Sequence, residues 1–261
     1  MKLKHIDGGK EFDFGRTSAD YSAYRDIYPQ SVYEKLFNSG IGRKGQKNLD
    51  LGTGTGVVPR NMTQYGAQWY GIDIAENQIR EAVRLSKENK QNIEYKTCAA
   101  ENTEFDENYF DAVTAVQCFL YFDKQKVLPS IKKILKKDGV FAVVWMAWVT
   151  ELSPIAQETE ELILKHNPEW KGYGYKRQES EIPEWSKEYF SCIGIENYME
   201  DIPFTQESWA GRIRSCRGVA ASLDEEHAEL FDREHKKLLS SLKEDYFTIP
   251  HQILMHFFKL I

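Results

Sequence analysis

Leu49 and Leu51 alternate with polar neighbours in Lys47-Asn-Leu-Asp-Leu51, and Gly52, Gly54 and Gly56 follow at every second position before Val57, Val58 and Pro59. The alternation predicts a short buried strand, and the apolar spacing after the glycines predicts a helix over 57–65 that stops at Gly66. The same rhythm continues with a strand over 68–73, a helix over 76–90 and a strand over 93–98. Phe110-Asp-Ala-Val-Thr-Ala-Val116 is close to a continuous apolar run, the pattern of a strand covered by helices on both faces. A helix over 124–136 turns Val127, Leu128, Ile131 and Leu135 inward, the segment Leu135-Lys-Lys-Asp-Gly139 forms a turn, and a strand over 140–146 follows. Strands alternating with helices in this way predict an α/β, doubly wound parallel sheet and exclude an all-β or bundle fold.

The flanks read differently. Residues 1–15 are polar and glycine-containing and are expected to be loosely ordered. Tyr21, Tyr24, Arg25 and Tyr28 then fall at helical spacing until Pro29, and a second helix over 30–37 stops at Gly40. Beyond Met146 the βα rhythm breaks. A helix over 154–166 leads into an aromatic, polar loop through Trp170, Tyr173, Tyr175 and Trp185, and a sixth strand is expected over 192–199. A helix over 208–221, a capping box at Ser222-x-x-Glu225 that opens a further helix, and an apolar last strand over 253–260 complete the chain. The expected organisation is a lid segment over 1–37, a ligand-binding core over 38–146, a cap insertion with the sixth strand over 147–224, and a C-terminal helix and last strand over 225–261.

Composition narrows the partners. With 261 residues, 41% hydrophobic and 28% charged, the chain has room for one large α/β domain or a core with a small cap. A net charge of −6 argues against a nucleic-acid backbone as main partner, since such proteins carry a basic excess. No apolar run approaches the ~20 residues that span a bilayer, and the N-terminus lacks the apolar core of a signal peptide, so no membrane partner and a cytoplasmic location are expected. Cys98, Cys118, Cys192 and Cys216 lie far apart, which indicates neither a metal site nor a disulfide framework.

The chemistry concentrates at the glycines. A loop that turns sharply and lets a ligand lie on bare backbone has no room for a Cβ. A dinucleotide loop would read Gly-x-Gly-x-x-Gly, whereas this one reads Gly52-x-Gly54-x-Gly56 with Asp50 two places before it. A carboxylate there suits a cationic ligand rather than a pyrophosphate. Asp73, at the end of the second strand, is positioned to accept two ribose hydroxyls. The same residues also suit a tight strand-to-helix turn in another α/β protein, with Asp73 capping the next helix.

Asp-x-Gly-x-Gly-x-Gly resembles the first motif of the class I S-adenosylmethionine (SAM)-dependent methyltransferases. Tyr21-x-x-Tyr24-Arg25-x-x-Tyr28-Pro29 resembles a cofactor-covering segment of small-molecule methyltransferases of the type 11 kind, and Ala99-Ala100-Glu101 through Phe105 resembles their adenine-reading segment, with Ala99 standing where that family has Asp. The resemblance runs to Met146 and thins beyond. It implies a seven-stranded Rossmann-like sheet with the last strand antiparallel, SAM as cofactor, no metal, and cofactor contacts from Tyr21, Arg25, Asp50, Gly52, Thr53, Gly54, Gly56, Asp73, Ile74, Gln78, Ala100, Glu101 and Gln117. Arg25 would pair with the methionine carboxylate.

SAM is already activated, so the protein need only orient an acceptor behind the methyl and exclude water. Tyr21, Tyr24, Trp145 and Trp148 are candidates to face the sulfonium or the acceptor, and equally plain hydrophobic cap residues. Arg212 and Arg214, with Arg217 nearby, would clamp an acceptor acid or form a solvated helix face. No general base stands out among His166, His227, His235, His251 and His256. The expected function is methyl transfer to an O, N or S atom of a small molecule. A SAM-binding sensor or subunit without transferase activity is the second reading, and a nicotinamide oxidoreductase is disfavoured by Asp50 and the glycine spacing.

Overall fold

The βα rhythm folds as the spacing predicts. The computed structural model describes residues 1–261, the side chain of Ala19 apart. In chain order come helices α1 (Ser18–Tyr24) and α2 (Gln30–Asn38), then β1 (Lys47–Leu51), α3 (Val57–Met62), β2 (Gln68–Asp73), α4 (Glu76–Glu88), β3 (Ile93–Thr97), β4 (Phe110–Val116), α5 (Lys124–Ile134) and β5 (Leu135–Trp148). The remainder is α6 (Pro154–His166), β6 (Phe190–Thr205), α7 (Gln206–Arg214), α8 (Glu225–Leu239) and β7 (Tyr246–Leu260). The strands make one seven-stranded sheet in the order β3-β2-β1-β4-β5-β7-β6, with β7 antiparallel. Strand β1 lies parallel to β2 on one side and β4 on the other, so the strand order reverses beside β1. Ligands of open α/β sheets bind at the carboxyl ends of the strands at such a reversal.

Two compact units divide the chain. One comprises Tyr28–Met146, Glu179–Tyr198 and Ile253–Ile261, and the other Met1–Ile27, Ala147–Gln178 and Met199–Gln252. The first buries Leu49, Leu51, Phe110, Val113, Phe141, Phe190 and Phe258 in one core. The second packs α1 against α7 and α8 against α6 and α7, around buried Trp209, Ile213 and Phe231. Among the described residues no helix is long and apolar enough to cross a membrane.

Several local expectations need correction. The N-terminal residues are not loose. Phe12 is 1% exposed, and buried Asp7 pairs with Arg217 Nε at 2.8 Å while accepting from the Lys171 backbone N–H at 2.8 Å. Helix α7 starts with a reciprocal capping box between Thr205 and Ser208 and ends at Arg214, well short of 221, because the chain turns at Ser215 toward Gly218. Gly218 lies against Trp170, where an added Cβ would come within 2.9 Å of the indole, and its carbonyl accepts from Asn167 Nδ2 at 2.9 Å. Ser222 does not cap α8. Asp224 does, accepting from the His227 backbone N–H at 2.9 Å. The segment Leu135–Gly139 belongs to β5 rather than to a turn, and β6 and β7 are each longer than the expected strands. Trp185, expected in an aromatic, polar loop, joins the sheet core, its ring 4.6 Å from Phe119 and 5.2 Å from Phe258.

Candidate functional site

The turn after β1 is built from left-handed backbone. Gly52, Gly54 and Gly56 have φ of 60°, 55° and 76°, a region that strains residues with a Cβ. Close packing adds a second requirement. A Cβ on Gly52 would sit 2.7 Å from that of Cys118, and one on Gly56 would run into the Tyr95 ring. The loop is then tied to β2, with Thr53 N–H donating to the Ile72 carbonyl at 2.9 Å and Gly54 N–H to Asp73 Oδ2 at 2.9 Å. Asp73 Oδ1 accepts from the Ala75 N–H at 2.8 Å. Burial raises the Asp73 carboxyl above its ordinary value, and the backbone N–H groups of Ala75, Gly54 and Ile74 oppose that shift.

Asp50 stands beside it, 2% exposed, its Oδ1 accepting from the Thr114 hydroxyl at 2.6 Å. Removal from water pushes this carboxyl up to about 7, against the Thr114 and Thr53 hydroxyls, and the charge of Asp73 adds to the rise. Two carboxyls thus converge on one glycine turn at the ends of adjacent parallel strands, with titration set by burial.

Ile74, Gln78, Ala100, Glu101 and Gln117 follow the carboxyl ends of β2, β3 and β4. Ile74 follows Asp73 and is 56% exposed, and Gln78 is buried in the first turn of α4. Ala100 is buried in the short turn after β3, and Glu101 Oε1 beside it accepts from the Asp123 N–H at 2.9 Å. Gln117 closes β4 with a φ of 62°, its N–H donating to the Val144 carbonyl at 2.9 Å and its side-chain amide to the Met146 carbonyl. Trp145 is partly buried on β5.

Sequence reasoning missed three supports of this loop. Thr114 holds Asp50, Tyr95 lies under Gly56, and Cys118 donates to the Leu51 carbonyl at 3.0 Å with its thiol pushed well up by burial. Only Thr114 left a signal, as a lone hydroxyl in an otherwise apolar run.

Tyr21, Tyr24, Arg25, Trp148, Arg212 and Arg214 belong to the other unit. Arg214 holds Asp20 with two bonds of 2.7 Å and Asp232 with a third of 2.7 Å. With Arg217 on Asp7, the three arginines do not present one shared face. Arg212 is buried, 5.2 Å over the Trp148 ring, and donates to Cys216 Sγ at 2.9 Å. Arg25 lies 4.7 Å over the Tyr21 ring and 3.9 Å from the same sulfur. Tyr24 donates to Glu207 at 3.2 Å, and Trp148 donates to buried Glu160 at 2.7 Å. Two histidines of this unit are buried, His235 beside the Thr159 hydroxyl and His251 on the Ile249 carbonyl. Burial lowers His235 to about 4 and His251 to about 3, so both are neutral at physiological pH.

Comparison with known proteins bears directly on this turn. Residues 49–143 match the family model described as "Methyltransferase domain". A ubiquinone biosynthesis O-methyltransferase of Glaesserella parasuis is 27% identical over 189 residues, 69% of this chain and 79% of that protein. Among solved structures, the YcgJ protein of Bacillus subtilis superposes with a TM-score of 0.53 at 17% identity, over 88% of this chain and 98% of that one. Phosphoethanolamine N-methyltransferase 2 of Haemonchus contortus, solved with phosphomonomethylethanolamine and S-adenosylhomocysteine, superposes with a TM-score of 0.54 at 19% identity, over 93% of this chain and 57% of that one. The glycine turn and the strands around it therefore lie in a segment similar to methyltransferase domains, and the sheet that carries them has the Rossmann-like order of methyltransferase structures.

Proposed function

We propose that the chain transfers the methyl group of SAM to an O, N or S atom of a small-molecule acceptor, a carboxylate oxygen included. The observation that carries this reading is the pair of carboxyls, buried Asp50 and half-buried Asp73, on a turn of three left-handed glycines. The donor set fits the cofactor. An ammonium suits the Asp50 carboxylate, and Asp73, whose two oxygens accept from the Gly54 and Ala75 N–H groups, has acceptor capacity left for a ribose diol. A dinucleotide pyrophosphate would meet two carboxyls instead of a bare helix N-terminus.

SAM supplies an already activated methyl group when bound. The chain's own residues bind, orient and desolvate. Asp50 would hold the ammonium and Asp73 the ribose, buried Ala100 and neighbouring Glu101 would flank the base, and Gln117 would shape the floor of the crevice. Orientation of this kind is worth ~7 to 11 kcal/mol of barrier when the acceptor is held about 3 to 3.5 Å behind the methyl. No general base is assigned, and a carboxylate acceptor requires none. The curated relative named above is an O-methyltransferase, which makes oxygen the first acceptor atom to try.

The test is incubation with methyl-labelled SAM and a panel of small carboxylic acids, phenols, amines and thiols, with S-adenosylhomocysteine and labelled product as readouts. Transfer to a panel member is the expected result. Tight SAM binding with no transfer across the panel would favour the sensor reading, and a melting-temperature rise with NAD but not with S-adenosylhomocysteine would overturn both.

A further inference from the structure

Strand β4 is apolar from Ala112 to Val116 except at Thr114, which is fully buried. A hydroxyl withdrawn from water without a partner is costly, so its position calls for one. Register supplies it. Thr114 pairs with Asp50 of β1 on one side and Ala142 of β5 on the other, while Asp50 pairs with Gly71 of β2, and Gly71 with Tyr95 of β3. Register partners in a parallel sheet project to the same face, so a single row across the sheet reads Tyr95, Gly71, Asp50, Thr114, Ala142.

Within that row Thr114 is the member whose hydroxyl reaches Asp50. Gly71 has no side chain and Ala142 no polar atom, and the Tyr95 hydroxyl lies 3.0 Å from Ser86 Oγ on α4. The Thr114 bond to Asp50 Oδ1 is 2.6 Å, against 3.4 Å to the Leu49 carbonyl, and a bond that short is characteristic of a hydroxyl on a carboxylate. A hydroxyl donor favours the charged form of the carboxyl and fixes the direction of its free oxygen.

Resting on the function proposed above, we infer that Thr114 is a positioning residue for cofactor recognition, its hydroxyl orienting Asp50 and holding it in the anionic form that takes the ligand's ammonium. The other groups that face Asp50 are few. Asp73, at the end of β2, raises it, and the loop hydroxyl of Thr53 lowers it. Tyr95 on β3 is pushed up to about 12 by burial, with Arg60 of α3 opposing. Cys118, beyond β4, is pushed well up by burial, with Lys124 of α5 opposing. Tyr95 and Cys118 therefore stay neutral through the pH range of the test.

The test is calorimetric titration with S-adenosylhomocysteine between pH 5.5 and 9, using the wild type, Thr114→Val, Thr114→Ser and Asp50→Asn. The ligand's own ammonium titrates equally in every case and drops out of the ratios. Wild-type affinity should rise through neutrality. Thr114→Val, matched in shape, should move the midpoint up by about one pH unit, so that binding is roughly tenfold weaker near pH 6.5 and recovers toward wild type at pH 9. Thr114→Ser should keep the wild-type midpoint, and adding Thr114→Val to Asp50→Asn should change nothing further. If Thr114→Val does not melt cooperatively, Thr114→Ala serves in its place. A Thr114→Val profile identical to wild type, or weaker by one constant factor at all pH values, overturns the inference while leaving the methyltransferase reading intact. Wild type that binds no S-adenosylhomocysteine at any pH overturns both.

Discussion

Asp50→Asn should stabilise the unliganded protein at alkaline pH. Asp50 is fully removed from water, and its carboxyl is pushed from the ordinary 3.8 up to about 7. A carboxyl whose folded value is raised binds its proton more tightly in the folded state. Its contribution to stability is complete below pH 3.8 and is lost as pH rises to about 7. Between pH 5 and 8 that loss is about 3 kcal/mol, at 1.36 kcal/mol per pH unit. Asparagine cannot ionise, keeps an oxygen for the Thr114 hydroxyl, and leaves one amide donor whose cost does not vary with pH. For a chain of this size the difference in melting temperature between variant and wild type should therefore change by about 5 to 8 °C in favour of the variant from pH 5 to pH 8. Thermal denaturation followed by circular dichroism across that range is the assay. Two melting curves that stay parallel at all pH values would refute the assignment of Asp50 as a carboxyl that ionises in the fold at the expense of stability.

Two further outcomes follow from the same geometry. Gly56→Ala places a Cβ at a φ of 76° and into the Tyr95 ring, which should cost about 2 to 4 kcal/mol, and shortening Tyr95 to Ala in the same chain should return part of it in chemical denaturation. Arg214→Ala leaves Asp20 and Asp232 without their guanidinium. Because the group is partly exposed, the expected loss is a modest ~1 to 2 kcal/mol, shrinking in high salt, and a loss unaffected by salt would count against an ionic origin.

The sheet was legible in the sequence because its inner strands are buried on both faces, so Leu49, Leu51 and the run from Phe110 to Val116 announce themselves by hydrophobicity alone. The glycine turn, Asp50 and Asp73 were legible because the spaced glycines mark the loop and the two acids stand at the strand ends beside it. What escaped depends on residues distant in sequence. Asp7 orders the N-terminus through Arg217, and Arg214 is held by Asp20 and Asp232, pairings that no local pattern encodes. Helix α7 gives out at Ser215, and the segment beyond it is held by distant residues, Gly218 packing on Trp170 and accepting from Asn167. Trp185 reads like its aromatic neighbours in the loop, yet its ring fills the sheet core between Phe119 and Phe258.

The most direct test of the central claim is titration of S-adenosylhomocysteine into the wild type and into Asp73→Asn. Asparagine keeps one oxygen for the Ala75 N–H and so spares much of the turn, but it replaces a charged acceptor by a neutral amide at the atom that faces Gly54. Wild type should bind one ligand per chain, and the variant should bind at least tenfold more weakly, the ~1.5 to 3 kcal/mol of hydrogen bonds to a charged group. An Asp73→Asn protein with wild-type affinity, or a wild type with none, would contradict the account.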